Sequence, residues 1–344
     1  MTYRRPTGST GGLRLHLNEN TSGCSPAVLA ALRSIERCDT AQYPDYAPVT
    51  AQACASFGVD PGWVQITNGL DEGLHIVALA AKLIDTTFEA IVVEPAFEMY
   101  AACIASVGGR QITVAATRDL AFSAEEVLAA VSPRTRLIYL CDPNNPSGLP
   151  IPPGQIVRIA EAARQATVFV DEAYADFSGR TLIGPALDRC RNLVVGRTFA
   201  KAHGLAALRV GALIAHPETL APLRRILPPY SVNICAARAL GAALSDPSHV
   251  AWYVGEASAS RELIYAWCRP RGFHFWPSQG NFVLVRIGDD ASTLVGTLAD
   301  QGIFIRDRSR QPGLDGCVRI TAGVVADTER CLASMEAWRA ARGR

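Results

Sequence analysis

Six short apolar runs rich in β-branched residues recur along the first two-thirds of the chain, at 64–67, 90–93, 136–141, 167–170, 192–195 and 210–214. Ala-rich stretches of helical texture separate several of them. That alternation specifies an α/β fold with a largely parallel sheet. In such a sheet ligands settle beyond the carboxyl ends of the strands, so chemistry is to be sought in the residues that follow each run. Those residues are Asn68-Gly69, Glu94-Pro95, Asp142-Pro143-Asn144-Asn145, Asp171-Glu172 and the segment 197–201. Polar and turn-forming side chains crowd there.

The chain has 344 residues, more than the roughly 250–300 at which single cores stop growing, so two lobes are expected. After about Pro228 the texture changes to an Ala-rich helical segment, a strand at 281–287, a helix near 292–301 and short strands at 303–306 and 317–321. This predicts a smaller α+β lobe. The first 40 or so residues, with Gly8, Gly11 and Gly12, read as an arm that crosses onto another surface. The expected division is 1–40 for the arm and part of the small domain, 41–235 for the large domain, and 236–344 for the small C-terminal domain.

Composition narrows the function. Thirty-three basic residues against 32 acidic ones leave a formal charge of +1, without the sign bias of a nucleic-acid or anionic-membrane binder. No apolar run approaches the ~20 residues that span a bilayer, and the opening Met1–Pro6 lacks an apolar stretch, so a cytoplasmic protein acting on small molecules is expected. The ten cysteines, scattered from Cys24 to Cys331 without a Cys-x-x-Cys pair, read as reduced core residues rather than metal ligands, and no metal is expected.

The motifs after the runs are specific in combination. Asp142-Pro143-Asn144-Asn145-Pro146-Ser147-Gly148, then Asp171-Glu172-Ala173-Tyr174, then Arg197-Thr198-Phe199-Ala200-Lys201 and Arg209 stand in this order, each at a strand end. Over nearly its whole length the chain resembles the fold-type I pyridoxal-phosphate aminotransferases. The resemblance implies a large domain with a mostly parallel seven-stranded sheet flanked by helices, a smaller α+β domain, and pyridoxal 5'-phosphate as cofactor. It also implies that Lys201 holds the cofactor as a Schiff base. Physical chemistry agrees: an amine that condenses with an aldehyde must be deprotonated, and burial beside other cations favours that state. The uncharged surroundings of Lys201 argue against an ordinary surface lysine. A pyridine ring works as an electron sink only while its nitrogen stays protonated, and Asp171 is the candidate carboxylate to hold that proton. Alone, Asp171 would read as a helix N-cap.

By the same resemblance Asn145 and Tyr174 donate hydrogen bonds to the ring hydroxyl oxygen. The cofactor phosphate is assigned to the amides of Leu70 and Asp71, at the start of a helix, with Thr198 and Arg209 completing the cup. Phe97 is the expected stacking platform, with a plain core residue as the alternative. Ala200 stands where the family commonly has Ser or Thr, and Ala207 where it commonly has Gly before Leu-Arg. Both departures bear on cofactor affinity.

Within fold type I, Leu17-Asn18-Glu19-Asn20, Gln42-Tyr43-Pro44-Asp45, Asp71-Glu72-Gly73 and the segment from Arg306 through Arg319 look like histidinol-phosphate aminotransferases. Two arginines suit two anions. The resemblance assigns Arg319 to the substrate α-carboxylate and Arg306 to a substrate phosphate, while Arg308 and Arg310 are expected to be solvated loop charges. A surface ion pair of Arg306 with Asp307 or Asp315 is the competing reading of that arginine. The arm shows no equivalent of the family's substrate-touching tyrosine beyond Tyr3. The expected reaction is ping-pong amino transfer from histidinol phosphate to 2-oxoglutarate, giving imidazole acetol phosphate, in a homodimer whose Tyr43 reaches the partner's site. An aromatic or other amino-acid aminotransferase, a threonine-phosphate-type decarboxylase, and a non-catalytic cofactor-binding regulatory module remain as alternatives.

Overall fold

The computed structural model describes residues 11–343, so Tyr3 lies outside the described residues. Its strands are β1 (Leu13–Leu15), β2 (Val64–Thr67), β3 (Glu89–Glu94), β4 (Arg110–Ala115), β5 (Thr135–Cys141) and β6 (Thr167–Asp171). They continue with β7 (Leu193–Thr198), β8 (Gly211–Ile214), β9 (His274–Trp276), β10 (Phe282–Arg286), β11 (Ile303–Asp307) and β12 (Cys317–Thr321).

Seven strands form the large sheet in the order β2-β8-β7-β6-β5-β3-β4. From β7 to β4 every neighbouring pair is parallel, whereas β8 runs antiparallel to both β7 and β2. The reversal follows from the connection. The segment 199–210 carries no crossover helix, so it turns the chain straight back beside β7 and takes Lys201 and Arg209 with it. Helices cover both faces, and Val168, Phe169 and Val170 of β6 are all fully buried, the pattern of a sheet wetted on neither side. The expected runs all become strands. The seventh strand of the expected sheet is β4, which no apolar run marks: it has a single neighbour, and only Val114 along it is buried.

The smaller sheet has the order β1-β11-β12-β10-β9, with β1 parallel to β11 and the other neighbours antiparallel. The N-terminal segment takes part in both lobes from Leu13 onward. Leu13 and Leu15 are buried in the small-lobe core, and Val28 of the helix Pro26–Arg33 belongs to the core of the large sheet. One apolar strand and one helix, joined by residues 16–25, thus tie the two lobes together. The expected seam at 235–236 falls inside the helix Ile234–Leu244, whose Ala236 and Leu240 pack with the large core. The long helix Pro247–Cys268 bridges: Tyr253 and Ala257 meet Tyr174 and Phe282, while Ile264 and Trp267 enter the small-lobe core. All ten cysteines are free of disulfides. Among the described residues no helix is long and apolar enough to cross a membrane.

Candidate active site

Residues after the strand ends of the large sheet and residues of the small sheet line a cavity of about 430 Å³. Of the residues singled out in the sequence, Leu70, Asp71, Phe97, Asn145, Asp171, Tyr174, Thr198, Lys201, Arg209, Arg306 and Arg319 line it together. Tyr43 does not. It lies 77% exposed on the surface, stacked on the also exposed Tyr230 at 4.2 Å between ring centroids.

Lys201 follows the end of β7 by one turn, and its Nζ donates to the Leu17 carbonyl at 3.0 Å. Burial, reinforced by the Arg319 charge, lowers the ammonium to about 8; the carboxylates of Glu19 and Asp71 oppose the shift without cancelling it. At pH 7 roughly a tenth of the amine is then free, far more than for an unperturbed lysine.

Asp171 is the last residue of β6, deep in the cavity floor. Burial raises its carboxyl to about 6 even though Tyr100 Oη donates to Oδ2 at 2.8 Å and the Ala173 amide to Oδ1 at 3.0 Å. A cation placed against it would restore the ionised form. Sequence reasoning missed Tyr100. Its hydroxyl partner lies on a strand 71 residues away, and its ring stacks on Tyr139 with centroids 4.9 Å apart.

At the opposite end the helix Gly69–Ile84 opens toward the cavity with Leu70 and Asp71 in its first turn. Gly69 holds φ +70, and a Cβ there would come within 2.6 Å of Arg209 Nη2, so the arginine can lie across the helix start only over a glycine. Arg209 Nη2 donates to Asp71 Oδ2 at 2.8 Å, and Thr198 Oγ1 accepts from the Ala200 amide at 3.2 Å. Free helix amides, a guanidinium and a hydroxyl make an anion cup. Ala200 and Ala207 border the cavity without adding a polar group. Phe97 presents its ring on the wall, edge-on to Tyr100 at 5.8 Å.

A network of amides and guanidinia joins the two lobes above the floor. Asn145 Nδ2 donates to Tyr174 Oη at 3.3 Å, and so does Asn18 Nδ2 at 3.0 Å. Asn145 Oδ1 accepts from Arg319 Nη1 at 2.5 Å, while Arg319 Nη2 donates to the His16 carbonyl at 2.8 Å. Arg319 Nε is buried without a partner, and burial together with Arg308 presses the guanidinium down to about 9. An arriving carboxylate meets an arginine short of both a hydrogen bond and a counter-charge.

Arg306 stands opposite Arg319 in the β11–β12 register, and among the described residues its side chain has no hydrogen bond or ion pair, with Asp307, Asp315 or any other. Arg308, expected to be a solvated loop charge, is instead 3% exposed. Its Nη1 donates to Glu98 Oε1 at 2.6 Å and its Nη2 approaches Asn145 Oδ1 at 3.4 Å. Arg310 is exposed, as expected. The burial of Arg308 depends on Glu98, 210 residues distant, so no local pattern announces it. Asn18, Glu98 and His16 escaped a role for the same reason.

Comparison with known proteins sets this geometry in context. The family model described as aminotransferase class I and II matches residues 10–334. A histidinol-phosphate aminotransferase of Ralstonia nicotianae is 36% identical over 94% of this chain and 88% of its own. One of Thiobacillus denitrificans is 34% identical over 96% and 87%. Among solved structures, histidinol-phosphate aminotransferase from Sinorhizobium meliloti in complex with pyridoxal-5'-phosphate superposes with a TM-score of 0.83 at 29% identity, covering 94% of this chain and 89% of that one. L-threonine-O-3-phosphate decarboxylase from Porphyromonas gingivalis, 22% identical, with a TM-score of 0.78 over 94% and 98%, shares the fold.

Proposed function

The chain belongs to the class I and II aminotransferases, and from that premise we propose that it moves the amino group of L-histidinol phosphate to 2-oxoglutarate, with pyridoxal 5'-phosphate as cofactor. The residues present fit that cofactor: a buried carboxylate at one end, a helix start cleared by Gly69 beneath Arg209 at the other, and the depressed amine of Lys201 between them. Asp171 would hold the ring nitrogen protonated and Lys201 would be the point of attachment. The amides of Leu70 and Asp71, with Thr198 and Arg209, would hold the phosphate; Asn145 and Tyr174 would take the ring hydroxyl, and Phe97 a ring face. When bound, the cofactor supplies an aldehyde carbon for the donor amine and a protonated ring that draws electrons from the donor Cα.

The chain's own groups do the rest. Lys201 Nζ, its ammonium lowered to about 8, takes the donor's Cα proton and later returns a proton as general acid. Arg319, with its unpartnered Nε, fixes the α-carboxylate. The Tyr174 phenol, pushed up to about 12 by burial, stays a neutral hydrogen-bonding group throughout.

The observation that carries the substrate assignment is the Arg306–Arg319 register pair in one cavity, with Arg306 left unpaired among the described residues. Two guanidinia without a carboxylate partner among the described residues suit a donor with two anionic ends. Incubating the protein with histidinol phosphate, phenylalanine and threonine phosphate in the presence of 2-oxoglutarate tests it. Glutamate formed fastest from histidinol phosphate supports the reading. Carbon dioxide release favours a decarboxylase, preference for phenylalanine an aromatic aminotransferase, and no product a binding module. We further propose a cytoplasmic homodimer in which the exposed Tyr43 reaches the partner's cofactor phosphate, supported by the Tyr43–Tyr230 stack standing on the surface.

A further inference from the structure

We propose that His16 binds substrate: its Nε2–H donates to an oxygen of the donor's distal anion, beside Arg306. The inference rests on the phosphorylated-donor reading above and assigns that end of the donor a second contact.

His16 follows β1 directly. Because Leu15 pairs with Ile305 in the parallel β1–β11 ladder, His16 comes level with Arg306, the next residue of β11. It is 5% exposed and lines the cavity. Its ring sits 6.0 Å from that of Phe304, tilted by 54°, and its carbonyl is held by Arg319. Neither backbone nor ring is free to turn away.

The ring nitrogens differ. Nδ1 is fully buried and has no hydrogen-bond partner. A buried N–H left unpaired is costlier and rarer than an unpaired acceptor, so the ring proton belongs on Nε2, the nitrogen left to face the cavity. The charged groups acting on the ring are Arg14 from its own segment, Arg306 from β11 and Arg319 from β12; Glu19 is engaged by Arg14 through two hydrogen bonds. Burial and these three cations hold the imidazole at about 4, so it is a neutral donor at working pH. Guanidinia offer it no acceptor, and no described residue accepts from Nε2, so a ligand oxygen can do so. A phosphate monoester offers three terminal oxygens. The Arg306 fork engages two of them and leaves one for a neutral donor on the adjacent strand.

The test compares His16→Phe and His16→Gln in the cofactor-loaded enzyme. Phe keeps the ring packing on Phe304 and removes the donor; Gln restores an N–H near the position of Nε2. Three quantities are read: KM for histidinol phosphate, kcat/KM for phenylalanine, and inhibition of the phenylalanine reaction by inorganic phosphate. For His16→Phe we expect KM for histidinol phosphate and the phosphate inhibition constant to rise about tenfold or more, and kcat/KM for phenylalanine to stay within about twofold. His16→Gln should recover most of the loss. Equal losses with both donors, or unchanged phosphate inhibition in His16→Phe, overturn the proposal. If wild type turns over no histidinol phosphate, the functional reading fails separately, and phosphate inhibition still decides His16; a wild type insensitive to phosphate refutes it.

Discussion

Arg306 on β11 and Arg319 on β12 are direct register partners across an antiparallel pair, and both line the cavity that holds Lys201. Paired residues on one sheet face sit a few ångströms apart. Two like charges there favour the binding of anions.

This pairing predicts a difference between two mutants. Arg306→Ala should raise KM for histidinol phosphate far more than for phenylalanine, by about 30-fold or more if the lost contact is worth about 2–5 kcal/mol. Arg319→Ala should harm every donor, since all carry the α-carboxylate. Steady-state kinetics with both donors checks it. Equal effects of Arg306→Ala on the two would return Arg306 to the surface and favour an aromatic aminotransferase.

Lys201 should be the only lysine that borohydride fixes to pyridoxal phosphate, with Lys82 as the sole competitor in the chain. Peptide mapping of the reduced protein checks this, and label on Lys82 refutes it. The rate at which cofactor-free protein captures the cofactor should climb with pH around a midpoint near 8, where Nζ loses its proton.

Asp171 predicts a conflict between stability and function. A buried acid raised to about 6 binds its proton more tightly folded than unfolded. The resulting penalty is absent below pH ~4, grows as pH rises through 6, and is complete above it. Cofactor-free Asp171→Asn should therefore be more stable than wild type at pH 7–8 by about 1–3 kcal/mol, with the gap closing in acid, while amino transfer is lost. Denaturant titrations at pH 4.5 and 7.5 measure it. A gap of the same size at both would show that the carboxyl charge is not the cause.

Tyr43→Phe should weaken cofactor retention if the hydroxyl reaches the partner's phosphate, without altering the stack on Tyr230. Sedimentation at assay concentrations accompanies it: a fully active monomer would rule out a shared site.

What the sequence revealed and what it hid divide along a physical line. Strands such as β5 and β6, buried on both sides, announce themselves as continuous apolar runs, and the residues closing them carried Asn145, Asp171 and Lys201 into view. By contrast, β4 is a mostly exposed edge strand with mixed polarity. Three-residue β1 owes its conformation to its partner Ile303–Ile305. The burial of Arg308 is made by Glu98, and the environment of Asp171 by Tyr100. Contacts between residues far apart in sequence leave no periodic trace.

The segment between β1 and the helix Pro26–Arg33 gives the cavity a shared currency of hydrogen bonds. Asn18 donates to Tyr174, Tyr174 also accepts from Asn145, Asn145 accepts from Arg319, and Arg319 donates to His16 on the same segment. The circuit is closed, so a carboxylate that draws Arg319 away from Asn145 releases the Asn145 carbonyl and loosens a neighbour of Tyr174 in the same event. A disturbance at Arg319 in the small lobe would thereby reach Tyr174 in the large one without either lobe having to move as a body.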